Sequence, residues 1–185
     1  MEFLIKDSTT KKATAVLVIL MMIAVVLTAQ IGEAKEDRAL SLPFFQEQKR
    51  KECQVKKKYL YLTGSQLQSA NQQLGQSSSQ QIVKRYRLDC GGKRSWVFLL
   101  NDKIRTHYQT LLIQVVEERI ARADVVAFSE PRKYRTPKKW YQVKIEGRTK
   151  NQISSVDAIS GATLTMKSNK KLLNRAIYFS QLQPL

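Results

Sequence analysis

Residues 110–128, TLLIQVVEERIARADVVAF, decide the fold class of this 185-residue chain. Residues 110–116 are rich in Leu, Ile and Val, and branched apolar residues of this kind favour β-strands. The charged residues 117–119 interrupt the apolar run, and residues 120–128 continue with a second one. Two runs of strand length on either side of a short polar turn predict an antiparallel β-hairpin.

Further strand-like runs flank this hairpin on both sides. Upstream, residues 82–90 lead to a Gly91-Gly92 turn, and the apolar run 96–100 is predicted to end at Asn101-Asp102. Downstream, residues 140–145 predict another strand. Because strands and helices do not alternate regularly, the sequence predicts an α+β fold with a small, mostly antiparallel sheet and flanking helices.

A segment rich in basic residues precedes the sheet, and residues 35–81 are predicted to form a helical cap. Residues 46–61 predict a helix with a basic face, whereas residues 72–81, rich in Gln and Ser, predict a loop. Four leucines in this segment are consistent with an amphipathic helix around a break at Gly64: Leu60, Leu62, Leu67 and Leu74.

An uncharged apolar run at residues 13–29 follows three lysines near the start of the chain. Its length suits both a signal peptide and a membrane anchor, and the small residues Gly32 and Ala34 suit cleavage directly after Ala34. Both alternatives are open at this point. In either case the lysines favour the cytoplasmic side. Residues 1–34 therefore predict a leader, and the body is expected to be periplasmic, secreted across or anchored in the inner membrane by residues 13–31.

Two cysteines, Cys53 and Cys90, lie in the part of the chain that is predicted to be exported. An oxidising compartment permits a disulfide between them, and two unpaired thiols are the alternative. Their spacing is not that of metal ligands, and His107 is the single histidine of the chain. The sequence therefore predicts no metal site.

The formal net charge of +17 is concentrated in residues 44–94 and 130–185. Such an excess suits an acidic protein, an anionic membrane surface or nucleic acid. The export leader and the lack of a nucleic-acid-binding motif argue against nucleic acid. One candidate function is therefore a basic module, without a cofactor, that binds an acidic protein partner or an anionic membrane surface.

The stretch DAISGATLT at residues 157–165 carries the most specific signal in the chain. Two small residues lie between the hydroxyl groups of Ser160 and Thr163, and a helical pattern of apolar residues follows. A helix start presents unpaired N–H groups that favour a phosphate, and glycine permits a close approach of the backbone. The alternative is an ordinary turn with Thr163 or Thr165 as the helix N-cap.

The motif DAISGAT at residues 157–163 resembles the attachment motif of the FMN-binding domain family. This family includes flavin subunits of the Rnf and sodium-translocating NADH:quinone reductase complexes. The resemblance extends over about residues 96–179. The segments that carry it occur in the family's order and are residues 104–106, 111–116 and 120–128, Glu130-Pro131 with Tyr134, and Trp140.

The resemblance implies that a flavin transferase links FMN to Thr163 through a phosphoester, drawing it from FAD with a divalent cation. It also implies that residues 82–185 form an FMN-binding domain that carries electrons rather than acting as a stand-alone enzyme. A membrane reductase or a cytochrome is its expected redox partner. The expected cofactor site comprises Asp157, Ser160, Gly161, Ala162, Thr163, Leu164 and Thr165 around the attachment point, with Glu130, Pro131 and Tyr134 as a wall.

Other residues near these segments have two interpretations each. Arg105, before the single histidine, could contact the flavin or its phosphate, while the histidine itself is assigned a structural role. Trp140 and Tyr141 could pack on the flavin ring or complete the core, which is the commoner role of aromatic residues. Lys167 could face the phosphate, or it could belong to the solvated face of the helix.

Overall fold

The computed structural model describes residues 37–74, 81–157 and 162–183. The predicted leader therefore lies outside the described residues. The chain divides into an N-terminal unit, of which the 3₁₀ turn Arg38–Ser41 is described, and a second compact unit, Leu42–Leu185. Within the described ranges, no helix has the length and apolar character needed to cross a membrane.

The second unit contains one five-stranded antiparallel sheet in which every strand pairs with its neighbours in sequence. This topology and the helices around it confirm the predicted α+β fold. In sheet order the strands are β1 (Gln54–Tyr61), β2 (Ile82–Cys90), β3 (Lys93–Lys103), β4 (Tyr108–Val116) and β5 (Arg119–Phe128).

Two tight turns set the register of the central strands. Gly91 and Gly92 join β2 to β3 with φ values of 53° and 78°. Glu117 and Glu118 join β4 to β5 with φ values of 46° and 62°. Positive φ at both central residues matches the right-handed twist of a hairpin. The predicted β4–β5 hairpin and the glycine turn are therefore confirmed.

The described part of the chain has five α-helices, of which the last is by far the longest. In chain order they are α1 (Pro43–Arg50), α2 (Gly64–Leu74), α3 (Lys138–Lys144), α4 (Lys150–Ser154) and α5 (Thr163–Gln181).

Helix α5 covers one face of the sheet and forms the main core with it. Its apolar positions Leu172 and Leu173, and Ala176 and Ile177 one turn later, are at most 1% exposed, which confirms the predicted helical pattern. They join one core cluster with alternate side chains of the sheet. The far end of α5 is held by Arg85, whose Nη1 donates to the Phe179 and Leu182 carbonyl oxygens at 3.1 and 3.0 Å.

Helix α1 covers part of the opposite face of the sheet. Tyr86 points away from α5, because successive strand residues face opposite sides and Arg85 bonds to the end of α5. The ring of Phe45 packs on Tyr86 at 4.9 Å. The segment next to α1 is tied to the end of β2 by a Cys53–Cys90 disulfide, so of the two alternatives for the cysteines the structure has the bridge.

Three secondary-structure predictions are wrong. The helix predicted over residues 46–61 ends at Arg50, and residues 54–61 form the edge strand β1. Strand β3 continues through Asn101-Asp102 to Lys103. The strand predicted over residues 140–145 is the helix α3, because Tyr141 and Ile145, four residues apart, both turn into the core.

The predictions for the segment between β1 and β2 are only partly confirmed. A helix does form there, but it begins at Gly64 instead of breaking at it. Its last residues, 72–74, belong to the predicted loop, and residues 75–80 lie outside the described part of the chain.

Candidate functional site

A cleft of about 130 Å³ lies at the N-terminal end of α5. It brings together most of the predicted site residues from three separate parts of the chain. The lining residues are Ile104 and Arg105 between β3 and β4, Glu130 and Tyr134 after β5, and Ala162, Thr163, Leu164 and Thr165 at the helix start.

The two threonines at the start of α5 have different environments. Thr163 is exposed on the cleft, whereas Thr165 is only 2% exposed. The helix N-cap is Ala162, whose carbonyl accepts the first helical bond from Met166 N at 2.9 Å. The alternative in which Thr163 or Thr165 is the N-cap is therefore wrong, and the hydroxyl of Thr163 is not used as a helix cap.

The first turn of α5 has the electrostatic character of an anion site. The first N–H groups of a helix have no partner inside the helix. Here the N-cap Ala162 offers no side-chain hydrogen bond, and the first turn contains no acidic residue. A helix of this length also carries partial positive charge at its N-terminus. Thr163, the first residue of α5, lies at this positive end and lines the cleft.

Glu130 fixes the wall opposite the helix. Its side chain is only 9% exposed, and its Oε1 accepts hydrogen bonds from the backbone N–H groups of Thr106 and His107 at 3.4 and 3.3 Å. The His107 ring lies 3.6 Å from the same oxygen and bonds to Thr106 Oγ1 at 2.8 Å. Glu130 therefore holds the β3–β4 connection in place, and His107 has a structural role.

Two cations surround the ring of Tyr134 at the edge of the cleft. The guanidinium of Arg105 lies 5.5 Å from the ring centroid, and Lys133 Nζ lies 5.1 Å from it. Arg105 has a positive φ of 20°, an unusual backbone conformation for a non-glycine residue. The turn that Glu130 holds thus presents Arg105 to the cleft.

A buried polar network positions α5 above the sheet. Gln109 Nε2 donates to Ser168 Oγ at 2.8 Å and to Asn169 Oδ1 at 3.0 Å. Ser168 Oγ donates in turn to Asp102 Oδ2 at 2.7 Å, and Lys171 pairs with the other Asp102 oxygen at 2.6 Å. The two bonds of Gln109 are buried and the two of Asp102 are partly buried, and because all four are directional they fix the height and rotation of the helix, and with them the position of its first turn.

Among the described residues of the predicted site, Asp157 and Pro131 do not line the cleft. Asp157 is exposed and directly precedes residues 158–161, so Ser160 and Gly161 lie outside the described residues. Pro131 precedes the 3₁₀ turn Arg132–Tyr134, and its carbonyl accepts a bond from Tyr134 N at 2.9 Å. Of the residues with two interpretations, Trp140 and Tyr141 pack in the core, and Lys167 is exposed without lining the cleft.

Sequence reasoning did not single out Ile104 as a lining residue. The only indication in the sequence is that an apolar residue stands directly before Arg105 in an otherwise polar stretch. No cluster of three potential metal ligands occurs in the described ranges.

One comparison with known proteins bears on the cleft. Residues 109–178 match the family model of the FMN-binding domain. The matched segment runs from the β4 residue Gln109 to Tyr178 near the end of α5, and it includes Glu130, Tyr134 and Thr163. No curated protein and no solved structure matches the chain. The match to the FMN-binding domain supports flavin binding.

The residues of the cleft fit the chemistry of FMN. The N–H groups of the first turn of α5 and the nearby Arg105 suit the phosphate. The Tyr134 ring and Ile104 offer apolar surface for a flat aromatic ring system. The cleft, at about 130 Å³, is smaller than the roughly 300–1,000 Å³ of usual small-molecule sites, so it encloses only a fraction of such a ligand.

Proposed function

We propose that the protein is an extracytoplasmic electron carrier that holds FMN through a phosphoester on Thr163, like the flavin subunits of the Rnf and sodium-translocating NADH:quinone reductase complexes. One observation carries the proposal. In the segment that matches the FMN-binding domain, the Thr163 side chain is exposed on a cleft at the N-terminus of α5, whereas Thr165 is buried. Attachment needs a hydroxyl group that a modifying enzyme can reach, and Thr163 offers one.

Loading is the work of a separate flavin transferase. Thr163 Oγ1 bonds to the phosphorus of the FMN half of FAD, the bond from that phosphorus to the AMP oxygen breaks, and AMP leaves. The hydroxyl proton passes to a base of the transferase, so the step involves no oxidation or reduction. A threonine hydroxyl is a weak nucleophile without an adjacent base. The single histidine of this chain is engaged with Thr106 and Glu130.

The protein's own residues hold and orient the attached group. The first-turn N–H groups and Arg105 would hold the phosphate, and Tyr134 would offer apolar surface to the ring system. FMN supplies one- and two-electron redox chemistry when bound. A shallow cleft gives modest affinity, and the covalent bond supplies the retention that contacts alone do not. The same shallowness leaves part of the ring system open to a redox partner.

The charge of the chain supports an acidic redox partner, such as a cytochrome or a membrane reductase. Arg105 and Lys133 are exposed beside the cleft, and the chain as a whole has a formal charge of +17. Complementary charge raises the rate of encounter and makes that rate depend on salt. We infer that the redox partner docks at the cleft. The same excess of positive charge gives a weak attraction to anionic membrane surfaces. Nucleic acid has no place in this function.

The absorption spectrum of protein purified from its own host tests the proposal. A flavin band that survives acid precipitation is the expected result, because a phosphoester to threonine stays intact when the fold is lost. A colourless protein, or a flavin that is released completely by acid, contradicts the proposal. A colourless protein would instead favour the basic binding module without flavin. Salt dependence of the rate of reduction by an acidic cytochrome then tests the docking step separately.

A further inference from the structure

The sheet face opposite α5 is covered by α1 over only part of its length. Phe45 packs on Tyr86 in β2, and Glu47 pairs with Arg122 in β5 at 3.1 Å. Tyr86 and Arg122 belong to one row of cross-strand partners, so α1 lies along that row. The strand ends nearer the β3–β4 connection extend beyond this row.

Exposed apolar side chains cluster on that part of the face. Lys57 is the cross-strand partner of Tyr86, and alternate residues of a strand share one side of the sheet. The strand registers place on this side four large apolar side chains that are 44–57% exposed: Tyr59, Tyr61, Ile82 and Tyr108. Exposed apolar side chains that cluster in this way are typical of an interaction surface.

The cations around this cluster are lysines. Lys57 and Lys84 lie on the same side of β1 and β2, and Lys103 lies on this side of β3. All three lysines are exposed. Among the described strand residues on this side, the one carboxylate is that of Asp124, which Arg122 neutralises at 2.6 Å. We call the four apolar side chains and these three lysines the tyrosine–lysine face.

The composition of the tyrosine–lysine face suits a lipid surface better than a protein surface. Tyrosine has an apolar ring and a polar hydroxyl group, and it is enriched at the headgroup level of membranes. Lysine lays its apolar stem on such a surface while its charge reaches the lipid phosphates. Protein interfaces, in contrast, are enriched in arginine and depleted in lysine. The lysines therefore favour an anionic membrane as the partner.

A second copy of the chain is a poorer fit for the same surface. Pairing along the edge strand β1 would bring together the consecutive lysines 56–58 of both copies, and like charges that face each other across strands destabilise the pair. The leader predicted for residues 1–34, in contrast, would bring the body of the chain next to a bilayer.

We propose that the tyrosine–lysine face lies on an anionic membrane surface, with its tyrosine rings at the headgroup level and its lysines beside lipid phosphates. The inference rests on the extracytoplasmic location in the proposed function and adds an orientation to it. Lys103 ends β3 and Tyr108 begins β4, so the connection between them, which carries Arg105, joins the face to the cleft at the start of α5. Contact with the membrane therefore holds that cleft at the bilayer surface, within reach of a membrane reductase.

The test measures which lysines a membrane protects from a water-soluble acetylating reagent. Full-length protein with its cofactor is reconstituted with vesicles of phosphatidylglycerol and phosphatidylcholine in equal amounts, and peptide mass spectrometry reports the acetylation rate of each lysine. Lys57, Lys84 and Lys103 should react several-fold more slowly than with vesicles of phosphatidylcholine alone. Lys58 should react equally with both, because it is exposed on the opposite side of the sheet. High salt should remove the protection, since it screens exposed charges.

Two neighbouring lysines of β1 provide the matched variants. The lipid concentration that gives half of the maximal protection of Lys84 serves as the measure of affinity. Lys57→Gln should raise this concentration about fivefold, which corresponds to one lysine lost from an anionic surface, and Lys58→Gln should leave it unchanged. Equal effects of the two variants would mean that net charge alone acts, and would overturn the proposal. Lack of protection in the wild type would also overturn it.

The tyrosines are tested by replacing both Tyr59 and Tyr61 with threonine, which retains a high preference for strands. The double variant should bind the anionic vesicles several-fold more weakly, because apolar ring area no longer enters the headgroup region. Unchanged binding would contradict the proposed position of the rings.

Further measurements separate other occupants of the face and the function proposed for Thr163. Protection without vesicles that increases with protein concentration would identify a second copy, and protection by an acidic cytochrome but not by vesicles would identify a protein partner. Either result refutes the proposal. Covalent flavin content should be the same in Lys57→Gln as in the wild type, and Thr163→Val should keep the protection of Lys57. Failure of one proposal therefore leaves the other untouched.

Discussion

Replacing Thr163 by valine separates attachment from folding. The variant removes the hydroxyl and keeps the size and the branching of the side chain. Thr163 is exposed and does not cap α5, and the helix propensities of Thr and Val are close. We therefore expect a change of about 0.5 kcal/mol or less in the free energy of unfolding. For a chain of this size that corresponds to a shift of roughly 1–2 °C in the melting temperature.

Covalent loading, in contrast, should be lost completely in Thr163→Val. The assay is co-production with an exported flavin transferase, followed by mass spectrometry of the intact protein. The wild type should gain the mass of FMN less one water, and the variant should gain nothing. Thr165→Val is the control, because the buried Thr165 also loses a hydroxyl but should keep full loading. Peptide mapping that places FMN on Thr165, or an unmodified wild type in the presence of the transferase, would refute the reasoning.

The other predictions concern the support of the site. An intact sample should show no free thiol. The Cys53–Cys90 bridge spans 37 residues, so its reduction should lower the free energy of unfolding by about 4 kcal/mol through loop entropy. Denaturant unfolding with and without reductant measures this difference. Glu130→Ala should lower stability by about 2 kcal/mol and reduce flavin loading, because it frees the β3–β4 connection; unchanged loading would exclude a role in the site. Asn169→Ala should cost about 2–3 kcal/mol, visible as a lower denaturant midpoint, since it leaves buried partners unsatisfied. Lys167→Ala should lower flavin loading only modestly, and complete loss in a folded variant would contradict the view that backbone N–H groups hold the phosphate.

The elements that the sequence predicted correctly contain several buried apolar residues. In β4 the consecutive residues Leu111, Leu112 and Ile113 are all at most 1% exposed, and in α5 the buried residues recur at helical spacing. The edge strand β1 does not fit this description, because nearly all of its side chains are exposed and its lysines are equally suited to a helix. In α3, Trp140, Tyr141 and Val143 favour a strand by type, whereas the spacing of Tyr141 and Ile145 is helical. Spacing was the better guide there.

The site was predicted through the family resemblance more than through local chemistry. The resemblance named Glu130 and Tyr134 together with Thr163, and the structure places all three on one cleft. It gave no indication of the bonds from Gln109 to the helix, which join residues about 60 positions apart. Such contacts depend on the tertiary arrangement of α5 on the sheet, and no local pattern records them.

The position of α5 in the chain has a consequence for the proposed attachment of FMN. Every wall of the cleft except the helix start precedes residue 135, and α5 follows the whole sheet. Domains generally fold as units while the chain emerges from its N-terminus. Thr163, the proposed attachment point, therefore emerges after the rest of the cleft, and it meets Arg105 and Tyr134 only when α5 has docked. A transferase that recognises the assembled cleft acts late in biogenesis and modifies only chains that have completed their core.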